Sequence, residues 1–410
     1  MSSNAPGAKP SPVPMGFLEF VLLIAALMAL GALGVDAMLP NLPAIGESLG
    51  VADENRRQTI ITVYLLGFGG AQVIYGPLAD RFGRRPVLLV GLGIYTAFSL
   101  IAAFSKSFEL LLLARVFQGI GAAATRAIPV SIVRDRYSGR DMARVMSLSS
   151  MVFMGAPILA PTLGQAVLMV ASWPWVFGVL GACGLMVIAW TAVRLPETLH
   201  PEDRLPIQAP RILASFRAAA SDRSAMAYTL AQTFLFGGIL GFINSAQQVF
   251  AESFHAAAVF PLVFAIAASF IAVASLLNAR LVGRLGMRWL SHGALIGFLV
   301  LAAAHLVIAL TGWESLVLFV ALQAATMFTF GLTSGNFGAM AMEPMGHIAG
   351  VASAFQGFVS MIGATLIGYV IGQCFSGTVV PVEAGYLLCG LASMACVLWA
   401  EQGRLFHRRH

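Results

Sequence analysis

Charged side chains are scarce in this sequence. Only 10% of its 410 residues are Asp, Glu, Lys or Arg, whereas 59% are hydrophobic and the mean hydropathy is +0.85. A water-soluble domain carries about 25% charged and roughly 45–50% apolar residues. Water offers no home for so much apolar surface, so the main solvent of this chain must be lipid. Histidine and cysteine are also sparse, with 7 and 4 copies. His292, His305 and His347 are scattered, and Cys183, Cys374, Cys389 and Cys396 sit inside apolar runs without metal-ligand spacing or a disulfide framework. No Walker-type phosphate loop and no Ser–His–Asp order stands out. Enzyme chemistry, a bound metal or cofactor, and an ATP-driven pump within this chain are therefore not expected. The formal charge is +6, yet no basic stripe with interleaved aromatics accompanies it, so nucleic acid is not an expected partner.

Long apolar runs are what the sequence does have. A membrane helix takes about 20 apolar residues. Runs of that kind fall near 17–40, 58–79, 86–104, 108–133, 143–170, 174–194, 224–250, 257–282, 288–311, 314–342, 348–373 and 382–403. The 42 glycines agree, since glycine lets membrane helices approach closely. The first run lacks a clear small-residue cleavage site and reads as a retained span. The fold class predicted is an all-α membrane protein, with twelve transmembrane helices in two pseudo-symmetric six-helix bundles. Residues 1–16, rich in proline, read as a disordered tail; 17–194 and 224–403 form the two bundles; 195–223, the one long polar stretch, links them; and 404–410 form a second tail.

Basic residues set the expected orientation. Arg81, Arg84, Arg85, Arg134, Arg136, Arg140 and Arg144 would share one side with both tails and the linker, against Arg56, Arg57 and Lys106 on the other. Both termini are thus placed on the cytoplasmic side of the membrane that holds the chain. The halves also echo each other. In GPLADRFGRR (76–85) and ARLVGRLGMR (279–288), Leu78, Arg81, Gly83 and Arg85 recur as Leu281, Arg284, Gly286 and Arg288. Duplication of this kind is how many secondary transporters are built, with the binding site between the repeats.

The stretch GPLADRFGRRPVL (76–88) combines Gly76, Asp80, Arg81, Gly83, Arg84 and Arg85 in a charged turn, with Gly76 and Pro77 closing one helix and Pro86 starting the next. It resembles the loop signature of the major facilitator superfamily. LLLARVFQGIGAAA (111–124) is similar to the fourth-span motif of that superfamily's proton-coupled members. GAPILAPTLGQ (155–165), carrying Gly155, Pro157, Pro161 and Gly164, resembles the fifth-span antiporter motif in the form found in bacterial Bcr/CflA-type drug exporters. Ala160 and Gln165 depart from it where glycines are usual. The resemblance implies two rocking bundles around a cavity lined by spans 1, 4, 7 and 10, with Asp80 latching the cytoplasmic side against a helix N-terminus.

The acids fall almost entirely in loops or at span ends, and Asp36 is the exception, in LGALGVDAMLP (30–40). A carboxylate in lipid is costly unless paired, hydrated or protonated, so it marks a pathway; alternatively, Asp36 lies at the surface and caps the turn at 41–43. Arg115 is its expected counterpart. Arg115, Gln118, Ala122 and Arg126 share one helical face, although Arg126 can instead reach the cytoplasmic interface. Asn244, Gln247, Gln248, Gln323, Thr326, Asn336 and Gln356 are the uncharged cavity candidates, each equally suited to an interhelical hydrogen bond. The function expected is proton-coupled efflux of small drug-like molecules by a monomer, with protons, substrate and lipid as partners. The alternatives are transport of one metabolite, favoured by a basic cavity, and a non-transporting sensor on a transporter fold.

Overall fold

The computed structural model describes residues 15–406; expectations for 1–14 and 407–410 fall outside them. Among the described residues, twelve helices are long and apolar enough to cross a membrane. They are α1 (Phe17–Asp36), α2 (Thr59–Phe82), α3 (Arg84–Ala103), α4 (Phe108–Arg136), α5 (Gly139–Val170), α6 (Pro174–Arg194), α7 (Arg223–Gln248), α8 (Phe260–Leu285), α9 (Met287–Thr311), α10 (Leu316–Met342), α11 (Ala349–Gln373) and α12 (Val380–Ala400). Successive spans reverse direction, so the start of α1, the end of α12 and the linker share one end of the bundle, here the terminal end. The opposite end is the distal end.

Helix starts and stops repeat between the halves. Ser107 and Ser315 accept hydrogen bonds from Leu110 N and Leu318 N, capping α4 and α10. Gly83 and Gly286 separate α2 from α3 and α8 from α9, with φ of 105° and 87°. Side chains rarely adopt that region, which is why glycine recurs there. An arginine within two residues of each glycine is tied to two acids. Arg84 pairs with Asp80 and, at 3.0 Å, with Asp135; Arg288 meets Glu343 at 2.9 Å and Glu401 at 2.8 Å.

Two sequence expectations are revised here. α2 does not close at Gly76–Pro77 but runs through Pro77 to Phe82, and α4 and α5 likewise carry Pro129, Pro157 and Pro161 internally. Membrane helices tolerate proline because neighbouring helices and local adjustment re-satisfy the freed carbonyls. The acid at the N-terminus of α3 is Glu197, which accepts from Arg84 N at 2.9 Å and Arg85 N at 3.2 Å, while Asp80 holds the Arg84 guanidinium. The linker also contains a helix, Ala209–Ser221, that rests on α11 and α7.

The halves meet along α2–α11 and α5–α8. Hydrogen bonds between them gather at the distal end. Gln58 donates to Gln248 at 2.5 Å and to the Gly372 carbonyl at 3.2 Å, and Asn55 and Gln373 exchange bonds at 3.2 and 2.7 Å. Each such bond in a membrane bundle contributes on the order of 1 kcal/mol, so the cluster holds the distal end shut as a unit.

Candidate functional site

A cavity of about 510 Å³ opens between the halves. Its wall is mostly apolar, with Phe68, Phe153, Phe236, Phe264, Met327 and Phe330 among its residues. Two charged side chains reach it, Asp36 from α1 and Arg126 from α4, joined by the polar Tyr64, Gln72, Thr125, Gln232, Ser334 and Ser360. An apolar chamber with a few polar anchors is the usual form of a small-molecule site.

Asp36 is the last residue of α1, but the apolar helical segment does not end with it: helical turns continue to Ser48. The turn that follows is tied by Asn41, whose Nδ2 donates to the Ala37 carbonyl at 2.9 Å, and not by Asp36. Asp36 is 6% exposed and faces the cavity without a hydrogen-bond or ion-pair partner among the described residues. Gly164 of α5 explains how the turn is seated. A Cβ there would collide with the Ala37 carbonyl oxygen and press on the Asn41 amide. Gly155, in the same motif, has open space around its Cα. Gly164→Ala is therefore expected to push the turn beside Asp36 aside and cut transport at least tenfold, whereas Gly155→Ala stays near wild type. Vesicle transport by the two variants, at matched protein amounts, checks this.

Arg115 sits elsewhere than expected. It is fully buried inside the N-terminal half, not on the cavity wall, and makes no ion pair with Asp36. Its Nε donates to the Ile60 carbonyl at 3.2 Å and Nη1 to Gln118 Oε1 at 2.7 Å. Its guanidinium lies 4.2 Å from the centroid of Tyr64, whose hydroxyl donates to Gly31 of α1 at 2.9 Å. Tyr64 thus forms the wall that separates Arg115 from the cavity. The shared stripe on α4 divides: Arg115 and Gln118 turn into the bundle, whereas Arg126, two and more turns further on, reaches the cavity.

Most of the uncharged candidates knit helices together. Gln118 donates to Ser99 at 2.7 Å, Gln248 to Asn55 at 2.8 Å, Gln323 to the Tyr386 hydroxyl at 2.7 Å, and Asn336 to Asn278 at 2.7 Å. Asn244 is buried away from the main cavity, and Gln247 lines a second, smaller recess at the distal end beside Pro40 and Gln165. The physical reason is shared. An amide inside a lipid-embedded bundle finds the nearest donor or acceptor on an adjacent helix, leaving the cavity wall to side chains that can do without one.

The polar wall residues were open to a different sequence signal. Tyr64, Phe68 and Gln72 recur every fourth residue along α2, a stripe that points into the cavity. Gln232 of α7 and Ser360 of α11, both in the C-terminal half, line the opposite wall, with Gln356 of α11 donating to Gln232 at 3.2 Å.

The same architecture is found in known proteins. The Major Facilitator Superfamily model matches residues 22–368. The MFS-type transporter YdgK of Bacillus subtilis is 30% identical over 361 residues, covering 87% of this chain and 89% of its own. A bicyclomycin resistance protein homolog of Haemophilus influenzae is 28% identical over 367 residues, with coverage of 88% and 91%. The human organic anion transporter MFSD10 shares the fold, with a TM-score of 0.70 at 19% identity over 94% of this chain and 99% of that one. A family match over most of the length, on a fold of paired six-helix bundles around a cavity, leaves one assignment: the chain is a multi-pass membrane transporter, not an enzyme, and belongs to the Major Facilitator Superfamily.

Proposed function

We propose that this transporter exports small, largely apolar drug-like molecules across the bacterial inner membrane in exchange for protons. The observation that carries the reading is the cavity, an apolar chamber into which one unpartnered carboxylate, Asp36, projects. A proton on Asp36 removes the charge that an apolar wall disfavours, and substrate in the chamber competes with that proton for the same surroundings. Resistance-associated relatives such as the bicyclomycin homolog support a drug-like substrate. With both termini in the cytoplasm, the distal hydrogen bonds close the outer side, so the state described here is one step of an alternating-access cycle in which the two halves rock about the cavity. One chain supplies the whole cavity, which fits a working monomer.

Arg126 favours a second reading. A guanidinium on the wall suits an anionic or zwitterionic metabolite. Proteoliposomes loaded with candidate drugs, with and without an imposed pH gradient, separate the two. Efflux of neutral or cationic drugs that depends on the gradient is expected. Gradient-driven movement confined to anionic metabolites would replace the first reading with the second, and no gradient dependence for any substrate would remove proton exchange.

A further inference from the structure

The C-terminal half contains a buried ionisable cluster that the cavity does not use. His305 of α9 stands between two carboxylates, with Nε2 2.8 Å from Glu314 Oε1 and Nδ1 2.9 Å from Glu383 Oε2. The side chains of His305 and Glu383 are 0% exposed and that of Glu314 is 9% exposed. His305 Nδ1, both oxygens of Glu383 and Oε2 of Glu314 make no aligned hydrogen bond, so Nδ1 and Glu383 meet as a close charge contact. The surrounding elements bring no further charge among the described residues: Phe319 and Gln323 come from α10, Tyr386 from α12, and Phe298 of α9 packs on Tyr386.

We propose that His305, Glu314 and Glu383 form a second proton-binding site, separate from the cavity, that exchanges with the distal aqueous side and acts on α10 through Tyr386 and Gln323. The charge count carries the argument. Both ring nitrogens face carboxylates, so only the doubly protonated imidazole presents a donor to each. One cation against two anions leaves a net negative charge where no other described side chain donates to Glu383, and a proton taken onto Glu383 makes the cluster neutral. A metal ion does not fit the arrangement. The two carboxylates lie against different nitrogens of one ring and do not converge, and no group of metal-ligating side chains is found among the described residues.

Entry is from the distal end. Glu314 lies in the turn between α9 and α10, flanked by exposed Trp313 and Ser315. Transmission follows the packing. Gln323 donates to the Tyr386 hydroxyl at 2.7 Å, one turn from Glu383, and Met327, one turn beyond Gln323 on α10, lines the cavity. The site is independent of Asp36 and stands whether or not Asp36 carries protons.

Infrared difference spectra of the purified full-length protein, recorded between high and low pH, read protonated carboxyls directly. Wild type should show a titrating buried-carboxyl component that survives in Asp36→Asn and disappears in Glu383→Gln. Glu314→Gln, nearer the surface, should shift its midpoint and serves if Glu383→Gln does not accumulate. Tyr386→Phe should keep the component yet flatten the pH dependence of substrate exchange in proteoliposomes by at least threefold. Spectra of Glu383→Gln and Glu314→Gln that both match wild type would overturn the site, and an unchanged exchange profile in Tyr386→Phe would overturn the link to α10.

Discussion

Asp36→Asn should abolish accumulation against a gradient, to background level, while exchange of substrate at equal pH on both sides continues. Asparagine keeps the shape and the polarity of the side chain but never carries the exchangeable proton. Asp36 faces the cavity with no bonded partner to lose, so the substitution leaves the surrounding packing in place. An interaction that only supplied substrate affinity would weaken uphill and downhill transport together. A proton carrier splits them. The measurement is uptake driven by a pH jump, set beside equilibrium exchange in the same proteoliposomes. Uphill transport at the wild-type rate would remove Asp36 from energy coupling.

Arg115→Ala should have its main effect on folding and only a secondary one on transport. The side chain is fully buried, donates to Ile60 and Gln118, and stacks on Tyr64, with Phe177 5.8 Å away. Truncation opens a large void and strands the acceptors. Comparable deletions of large buried side chains cost about 3–5 kcal/mol. Set against a total stability of about 5–15 kcal/mol, that loss should lower both membrane abundance and thermal midpoint in detergent. Arg115→Lys keeps the charge but replaces the planar fork with a point donor, so it should recover part of the stability. Size-exclusion and thermal-shift measurements on wild type, Arg115→Lys and Arg115→Ala give the order. A fully stable Arg115→Ala protein lacking only uphill transport would return Arg115 to the proton pathway, acting through the Tyr64 wall.

How legible the molecule was differs from one scale to the next. Twelve spans, their approximate limits and the internal repeat were all readable, because burial in lipid imposes long apolar runs and polar turns on the sequence itself. The repeated glycines at 83 and 286 were readable for a similar reason: a positive φ restricts the residue type locally. Gln248, Gln323 and Asn336 stay open in the sequence between cavity wall and helix contact, and Gln118 falls on the same stripe as Arg126. An amide on a helix face looks the same whether it meets substrate or the next helix, and only the neighbouring span decides. Glu383 shows the sharper limit. Its place in the first turn of α12 marks it as a span-end acid, yet the fold closes α9 and α10 over it and leaves it with no exposure.

The sequence alone determined the solvent of this protein, its number of spans and its two-bundle build, since each follows from the order of apolar and polar residues along the chain. Only the tertiary structure decided which polar groups reach the cavity, that Tyr64 stands between Arg115 and the chamber, and that His305 meets two glutamates. Those outcomes depend on which helix lies beside which, and side chains far apart in sequence acquire their partners, or fail to, only when the helices pack.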